Sequence, residues 1–570
     1  MENIKFEQYP LSVPSLKKLE KKFTSLIDEL KSCGSATTAL PVIKKMNKLV
    51  DDISSDMTII SVRYQIETNN PKYKKAQDQI DEISPVISAY INNWNKVLVK
   101  AKYRKDLEKT LGKYYFQMME TSLKVFDEKI IPELIEQNKL TSEYSRIMAS
   151  AQIEFDGQVL NLPQMSRYTQ HQDREIRKAA SIAVDKWMGE NEAKIGEIYG
   201  ELVKIRHTMA KKLGYKNFVE LGYLSLSRLD YKAKDVKGYR EQIEEVVVPV
   251  CNKLYKRQAK RLGMNQKHMQ AYDYNVSFLS GNPKPAGDST YLVKVATDMY
   301  NDMSKETSEF FKFMLDNHLM DLLAKPGKAP GGFMTYIPRY KAPFIFANFN
   351  GSKDDVDVLT HEVGHALQGY LSSKIKVPEF RSPTLEACEI HSMSMEFFAY
   401  PYMNKFFGKD EKKYLYSHLE GAVEFLPYGV CVDDFQHWVY ENPEATHAQR
   451  CEKWKELESR YTPHKKFDDQ PTFAHGATWI RQSHIITSPF YYIDYTLAQV
   501  CAMQFLVEMN KNREKAWKKY IKLCKCGGQY PFVELLEKNK LRNPFIEGNV
   551  AKVIKPAFKI LSSFEDNELE

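Results

Sequence analysis

Between Ser15 and about Leu140, apolar residues recur at three- and four-residue intervals, as in Ile87, Tyr90, Ile91, Trp94, Val97 and Leu98. That period gathers apolar side chains on one face of a helix, so the region predicts a succession of amphipathic helices packed on one another. The pattern changes at residues 153–162, IEFDGQVLNL, where side chains alternate around an Asp156-Gly157 turn signal and a small hairpin is expected. From Asp173 through Leu213 the chain is rich in Ala, Glu, Lys and Arg and free of proline, which favours helix despite several glycines. Turn-forming residues cluster at 280–290 (SGNPKPAGDST) and 324–332 (AKPGKAPGG), two candidate flexible points. Residues 333–350, FMTYIPRYKAPFIFANFN, are rich in aromatics and β-formers and are interrupted by Pro338 and Pro343. They predict two short strands, at least one on a sheet edge, with residues 344–350 expected to offer backbone groups to an extended peptide.

A chain of 570 residues exceeds what one ordinary core supports, so two or more cooperating units are expected. Its net charge of +8 is spread over 82 basic and 74 acidic residues, a mild excess that does not suggest nucleic-acid binding. No run of about 18 apolar residues occurs and the N-terminus lacks the form of a signal peptide, so a cytoplasmic protein without membrane association is expected. The eight cysteines are scattered, and the one close pair, Cys524 and Cys526, has the wrong spacing for a redox or zinc-knuckle motif.

Chemistry enters at residues 356–370, VDVLTHEVGHALQGY, where His361, Glu362 and His365 form a His-Glu-x-x-His pattern on a segment that reads as helix. Two histidines four apart project from one face, one turn apart, close enough to meet a single zinc ion. Glu362 lies about a third of a turn round, beside the metal without pointing at it, and is placed to take a proton from water. Chance would generate the pattern on the order of 0.02 times in a chain of this makeup. A catalytic zinc site needs a third protein ligand. TLEACEIHSMSMEFF, residues 384–398, offers Glu386, Glu389 and Glu396 on a second helical stretch, and spacing by itself does not rank them. One or both of those that are not ligands would hydrogen-bond the histidines and orient them. His391 points away from the Glu389 face and reads as structural or surface; Cys388 reads as a small apolar residue.

A third segment, HIITSPFYYIDYTLAQVCAMQF at 484–505, sets His484 beside Tyr491, Tyr492 and Tyr495. Cleaving an amide with activated water creates an oxyanion, and phenol or imidazole donors placed at that charge lower the barrier.

Together these residues resemble the oligoendopeptidase F branch of the M3 family of thimet-type oligopeptidases. The resemblance rests on His-Glu-x-x-His followed by Glu389, Ser392 and Glu396, on PFIFANFNG before the first motif, on YKNFVELGY at 215–223 and on YTLAQVCAM. It covers most of residues 150–560. It implies Glu389 as third zinc ligand, Glu386 and Glu396 as supporting carboxylates, and Tyr495 as the transition-state tyrosine, with His484 and Tyr492 assisting. Phe346, Ala347, Asn348 and Tyr491 are then expected to contact substrate. The implied fold is mainly α, a zincin-type metallopeptidase with a helical N-terminal domain (1–190) and a larger catalytic domain (191–570) containing a small sheet, enclosing a deep channel. The implied activity is internal cleavage of short unfolded peptides with one zinc ion per chain, in a monomer or small homo-oligomer. Two other readings remain at this point. A zinc carboxypeptidase would need a cation for the terminal carboxylate, with Arg339, Arg481 or a lysine as candidates, and a peptide-binding scaffold would have no use for Glu362.

Overall fold

Helix accounts for 72% of the chain in the computed structural model, which also contains two small sheets. Residues 4–325, 327–329 and 331–569 are described; Met1–Asn3 of the N-terminal segment and Pro326 and Pro330 of the second turn-rich loop lie outside them.

The N-terminal pattern becomes α1 (Leu16–Ser32), α2 (Ala36–Ile66) and α3 (Pro71–Val99). Ile87, Trp94 and Leu98 are buried and Tyr90, Ile91 and Val97 pack at the margin, so the periodic stripe is the core-facing side of α3. Ser35 accepts the Thr38 N–H at the start of α2, and Asn70 accepts the Lys72 and Tyr73 N–H groups at the start of α3, which fixes where both helices begin. This bundle has its own core around Phe23, Ile43, Ile60, Trp94 and Phe116. Helix α2 also contributes Ile59 and Val62 to the larger core, which ties the bundle to the rest of the molecule.

The expected hairpin is present as β1 (Ile153–Phe155) and β2 (Gln158–Leu160), antiparallel, with both Asp156 and Gly157 at positive φ as a tight two-residue turn requires. Then comes α4 (Arg174–Lys212), 39 residues long and capped by the Asp173 side chain.

The second sheet contains β3 (Met320–Leu323), β4 (Phe333–Ile337) and β5 (Ala342–Phe349) in the order β3-β5-β4. Here one expectation is corrected: residues 344–350 do not form a free edge, because β5 pairs with β3 on one side and β4 on the other. Pro338 opens the turn between β4 and β5, and Pro343 occupies the start of β5, where the loss of one N–H is tolerated. The prolines therefore marked a turn and a strand start. The sheet edge nearest the N-terminal bundle is β4, and a cavity of about 710 Å³ lies between it and α2 and α3.

Following the sheet are α5 (Asp354–Ser372), α6 (Leu385–Phe398), α7 (Glu411–Glu441), α8 (His447–Tyr461) and α9 (Tyr492–Met509). Helix α5 packs on the sheet and crosses α6, α6 packs along α9, and α9 rests on α7. The three sequence segments singled out for chemistry thus meet at one crossing. Among the described residues no helix is long and apolar enough to cross a membrane.

Candidate metal centre and active site

Close approach of α5 and α6 depends on Gly364. A Cβ at this position would come within 2.7 Å of both the His391 carbonyl oxygen and the Ser392 Cα, so only glycine lets the two backbones touch. That contact brings Glu389 against the paired histidines. Glu389 Oε2 lies 3.2 Å from His361 Nε2 and 3.4 Å from His365 Nε2. Bonds of about 2.0–2.1 Å to a tetrahedral zinc would separate such donors by about 3.3–3.4 Å, so the three atoms fit one zinc ion without rearrangement.

The arrangement is held from behind. His361 Nδ1–H donates to Glu396 Oε1 at 2.7 Å, so Nε2, which faces Glu389 and the metal position, is the nitrogen that gives up its proton when a metal binds. Glu396 Oε2 is in turn 2.8 Å from His418 Nε2, and His418 Nδ1 is 2.8 Å from the Tyr400 hydroxyl. Glu389 Oε1 accepts a hydrogen bond from Tyr491 at 2.7 Å, and Glu389 Oε2 accepts one from Ser392 at 3.1 Å. Burial penalises charge on His361, yet its bonds to Glu389 and Glu396 outweigh that and hold its pKa well above the ordinary value. Loading a metal must therefore expel a proton from this ring.

Glu362 is 6% exposed and its Oε2 has no hydrogen-bond partner. Burial raises its pKa, with the neighbouring histidines opposing, as suits a base that must both accept and release a proton. Glu362 also sits beside the start of β4: a Cβ on Gly332 would lie 3.9 Å from its Oε1.

Opposite stands the aromatic cluster. Tyr495 Oη approaches His484 Nε2 to 3.5 Å. Tyr428 donates to Gln482 Oε1 at 2.9 Å, which turns the Gln482 amide so that its NH2 faces His484 Nδ1, also at 2.9 Å. His484 Nδ1 is then the acceptor and Nε2 carries the proton, and burial lowers the ring's pKa, so a neutral N–H donor faces the site. Tyr492 packs edge-on against Phe425 and Tyr428. Entry into α9 is fixed by a buried Arg228–Asp494 pair at 2.6 Å, and Arg228 also donates to the Phe490 carbonyl. Phe490 itself sits at φ 65°, a conformation that costs a non-glycine residue energy and is tolerated because these contacts over-determine it.

Two family models match the chain: the peptidase M3 N-terminal domain over residues 6–126, and peptidase family M3 over residues 167–552. The chain belongs to peptidase family M3. Among its relatives is an oligoendopeptidase F homolog of Borreliella burgdorferi, 24% identical over 85% of this chain and 84% of that protein. Oligopeptidase PepF of Bacillus subtilis is 21% identical over 94% of this chain and 81% of that one. The solved structure of PZ peptidase A with an inhibitor superimposes with a TM-score of 0.95 at 45% identity, covering 99% of this chain and 100% of that one. The protein is thus a metallopeptidase that hydrolyses peptide bonds, of the oligoendopeptidase F type.

Within this M3 fold, His361, Glu362, His365, Glu389, Glu396, His484, Tyr491, Tyr492 and Tyr495 come together around one point. Other expected residues stand apart. Glu386 is buried and accepts a hydrogen bond from Tyr231, and among the described residues it makes none to either histidine. Phe346 and Ala347 are buried in the central strand, Phe346 stacked on Phe333, while Asn348 donates to the Ala329 and Gly331 carbonyls and so shapes the approach to β4. His391 is buried, its pKa lowered to about 4 by loss of solvation, and is therefore structural and not a surface residue. Sequence reasoning missed His418, Tyr400, Gln482, Tyr428 and Arg228. Gly364 had a usable signal, a glycine inside a helix that must have a packing reason; the others are scattered along the chain and carry none.

Proposed function

We propose that this M3 peptidase is a zinc-dependent endopeptidase for short unfolded peptides, with one zinc ion held by His361, His365 and Glu389 and with Glu362 as general base. The observation that carries this reading is the convergence of three donor atoms at zinc-like separations beside a buried, unpartnered carboxylate. The ion's contribution is Lewis acidity, which polarises the scissile carbonyl and makes water nucleophilic near neutral pH. Glu362 accepts the proton of the attacking water and passes it to the leaving amine. Tyr495 Oη and the Nε2–H of His484 donate to the oxygen on which negative charge develops. Tyr491 and Glu396 keep Glu389 and His361 in register, and the N-terminal end of β4 supplies the strand edge along which the peptide backbone lies. A cavity of about 710 Å³ walled by α2, α3 and β4 lies along that strand and gives room for an extended chain beside it. The cytoplasm, where short peptides are produced and the eight thiols stay reduced, is the compartment that suits this chemistry.

Support for an endopeptidase over a carboxypeptidase comes from the cations. Arg339 is neutralised by Asp52 at 3.1 Å and Asp56 at 2.6 Å, and Arg481 stacks over Phe473. The test is hydrolysis of a quenched-fluorescent peptide of about ten residues blocked at both ends, about 33 Å long in extended form. Wild type and Glu362→Gln are compared, each with its zinc content measured. Internal cleavage by the wild type only, at equal zinc, is expected; cleavage confined to peptides with a free C-terminus would favour the carboxypeptidase.

A further inference from the structure

Away from the active site, metal-binding side chains from three chain segments converge on one spot: Glu192 from α4, His447 and Cys451 from α8, and His475 from the turn after Pro471–Ala474. Glu192 Oε1 is 2.7 Å from His447 Nε2 and 2.8 Å from His475 Nε2, and Cys451 Sγ is 3.5 Å from the same His447 nitrogen. The donor atoms of Glu192, Cys451 and His475 all lie within 4.8 Å of one another.

We propose that Glu192, Cys451 and His475 form a second metal site, for a divalent ion of the zinc class, with His447 hydrogen-bonded to Glu192 beside it. Three features of the arrangement point to a cation. First, His475 Nδ1–H donates to the Pro471 carbonyl, which leaves Nε2 bare in the neutral ring. A bare nitrogen and a carboxylate oxygen then face each other at 2.8 Å, lone pair to lone pair, so positive charge must lie between them as an extra proton or a metal ion. Second, a thiol joins the carboxylate and the bare imidazole nitrogen, the three donor atoms all lying within 4.8 Å of one another, a mixed sulfur, nitrogen and oxygen donor set that suits zinc. The Glu192–His475 separation of 2.8 Å is a hydrogen-bond length, about 0.5 Å shorter than the edge of about 3.3 Å between oxygen and nitrogen donors of a tetrahedral zinc, so the half-exposed His475 ring shifts outward when the ion enters.

Third, α4 is shaped to receive the cluster. Gly189 and Gly196 flank Glu192 on one face, and a Cβ on Gly196 would lie 2.5 Å from His447 Nδ1, one on Gly189 2.5 Å from Thr472 Oγ1. Glycine inside a helix costs about 1 kcal/mol against alanine, so two of them on one face need a packing reason. They let His447 and the 471–475 turn lie directly on the helix backbone. Cys451 is buried while the His475 side chain is half exposed, so an ion has a route in and the thiolate is shielded once ligated. Three protein donors leave the fourth position to water. Bound metal would staple three segments separated by some 20 to 280 residues.

Cobalt(II) tests this directly, because only the second site contains sulfur. Metal-free protein titrated with cobalt should bind two equivalents in the wild type and one in His365→Ala, with a near-ultraviolet thiolate-to-cobalt absorption in both. Cys451→Ser should retain one equivalent and lose that absorption. Glu192→Gln and His475→Ala, which change exposed or half-buried groups, should weaken the sulfur-ligated equivalent at least tenfold and leave cleavage of the blocked peptide unchanged. Binding of a single equivalent by the wild type, or two equivalents with no sulfur absorption, would overturn the proposal and assign the cluster to a shared proton.

Discussion

The two donor clusters are alike in their parts and differ in what surrounds them. Each places two ligand-type side chains four residues apart on a helix, His361 and His365 on α5, His447 and Cys451 on α8, and completes the set from elsewhere in the chain. At the first, the donors stand 3.2–3.4 Å apart, each is fixed by a further hydrogen bond or packing contact, and a carboxylate without a partner waits beside them. At the second, carboxylate and imidazole have closed to 2.7–2.8 Å, and the one unpartnered group is the buried Nδ1 of His447, packed against the helix at Gly196. Ligand identity therefore does not make a catalytic centre. An open coordination position, a base with nothing else to bond and donors aimed across the gap do so, and only the α5–α6–α9 crossing has all three.

The sharpest probe of that contrast is Glu362→Gln, which is expected to lower kcat by about 10³–10⁴-fold with zinc content unchanged, because the amide preserves shape but cannot accept the proton. Residual activity near wild type would erase the distinction between the clusters. Tyr495→Phe should lower kcat by about 10²-fold while KM moves only a few-fold, as expected for a donor that matters only when charge develops. Glu396→Gln removes the carboxylate behind His361 and should weaken zinc binding about 10–100-fold, measured by competition with a chelator. A milder handle is pH. Glu362 acts unprotonated and burial raises its pKa, so kcat/KM should fall as pH drops at values above those at which an ordinary glutamate would titrate. His361 also holds its proton more tightly than a free imidazole, so a chelator should strip zinc faster in the acid range. Smallest of all, Cys451→Ser should change kcat by less than twofold, yet zinc should no longer raise the melting temperature of the doubly substituted His365→Ala, Cys451→Ser chain.

Much of the active site was readable in the order of residues because its ligands are local. His361, Glu362 and His365 sit within one and a half turns of helix, and helical geometry alone puts the histidines on one face. Glu389 was one of three equivalent glutamates by spacing; the contact through Gly364 selects it. Glu386, expected as support, instead meets Tyr231, because a shift of one turn along α6 carries a side chain from the α5 side toward a different neighbour. Strand order was not readable: Pro338 and Pro343 announced a break, and only pairing shows that β5 is central and β4 exposed. His418 and Tyr400 were invisible for the same reason that Glu192, His447 and His475 were, since each acts through a partner distant in sequence, and Gln482, only two residues from His484, takes its orientation from Tyr428, 54 positions away.

Periodicity, caps and one compact motif determined the helical class, most element boundaries and the core of the metal site, because these depend on interactions within a few residues of chain. Which glutamate completes the site, which strand edge is free, which proton each histidine carries and where a second set of donors meets were decided by tertiary packing. Such contacts join residues tens to hundreds of positions apart, and no local pattern records them.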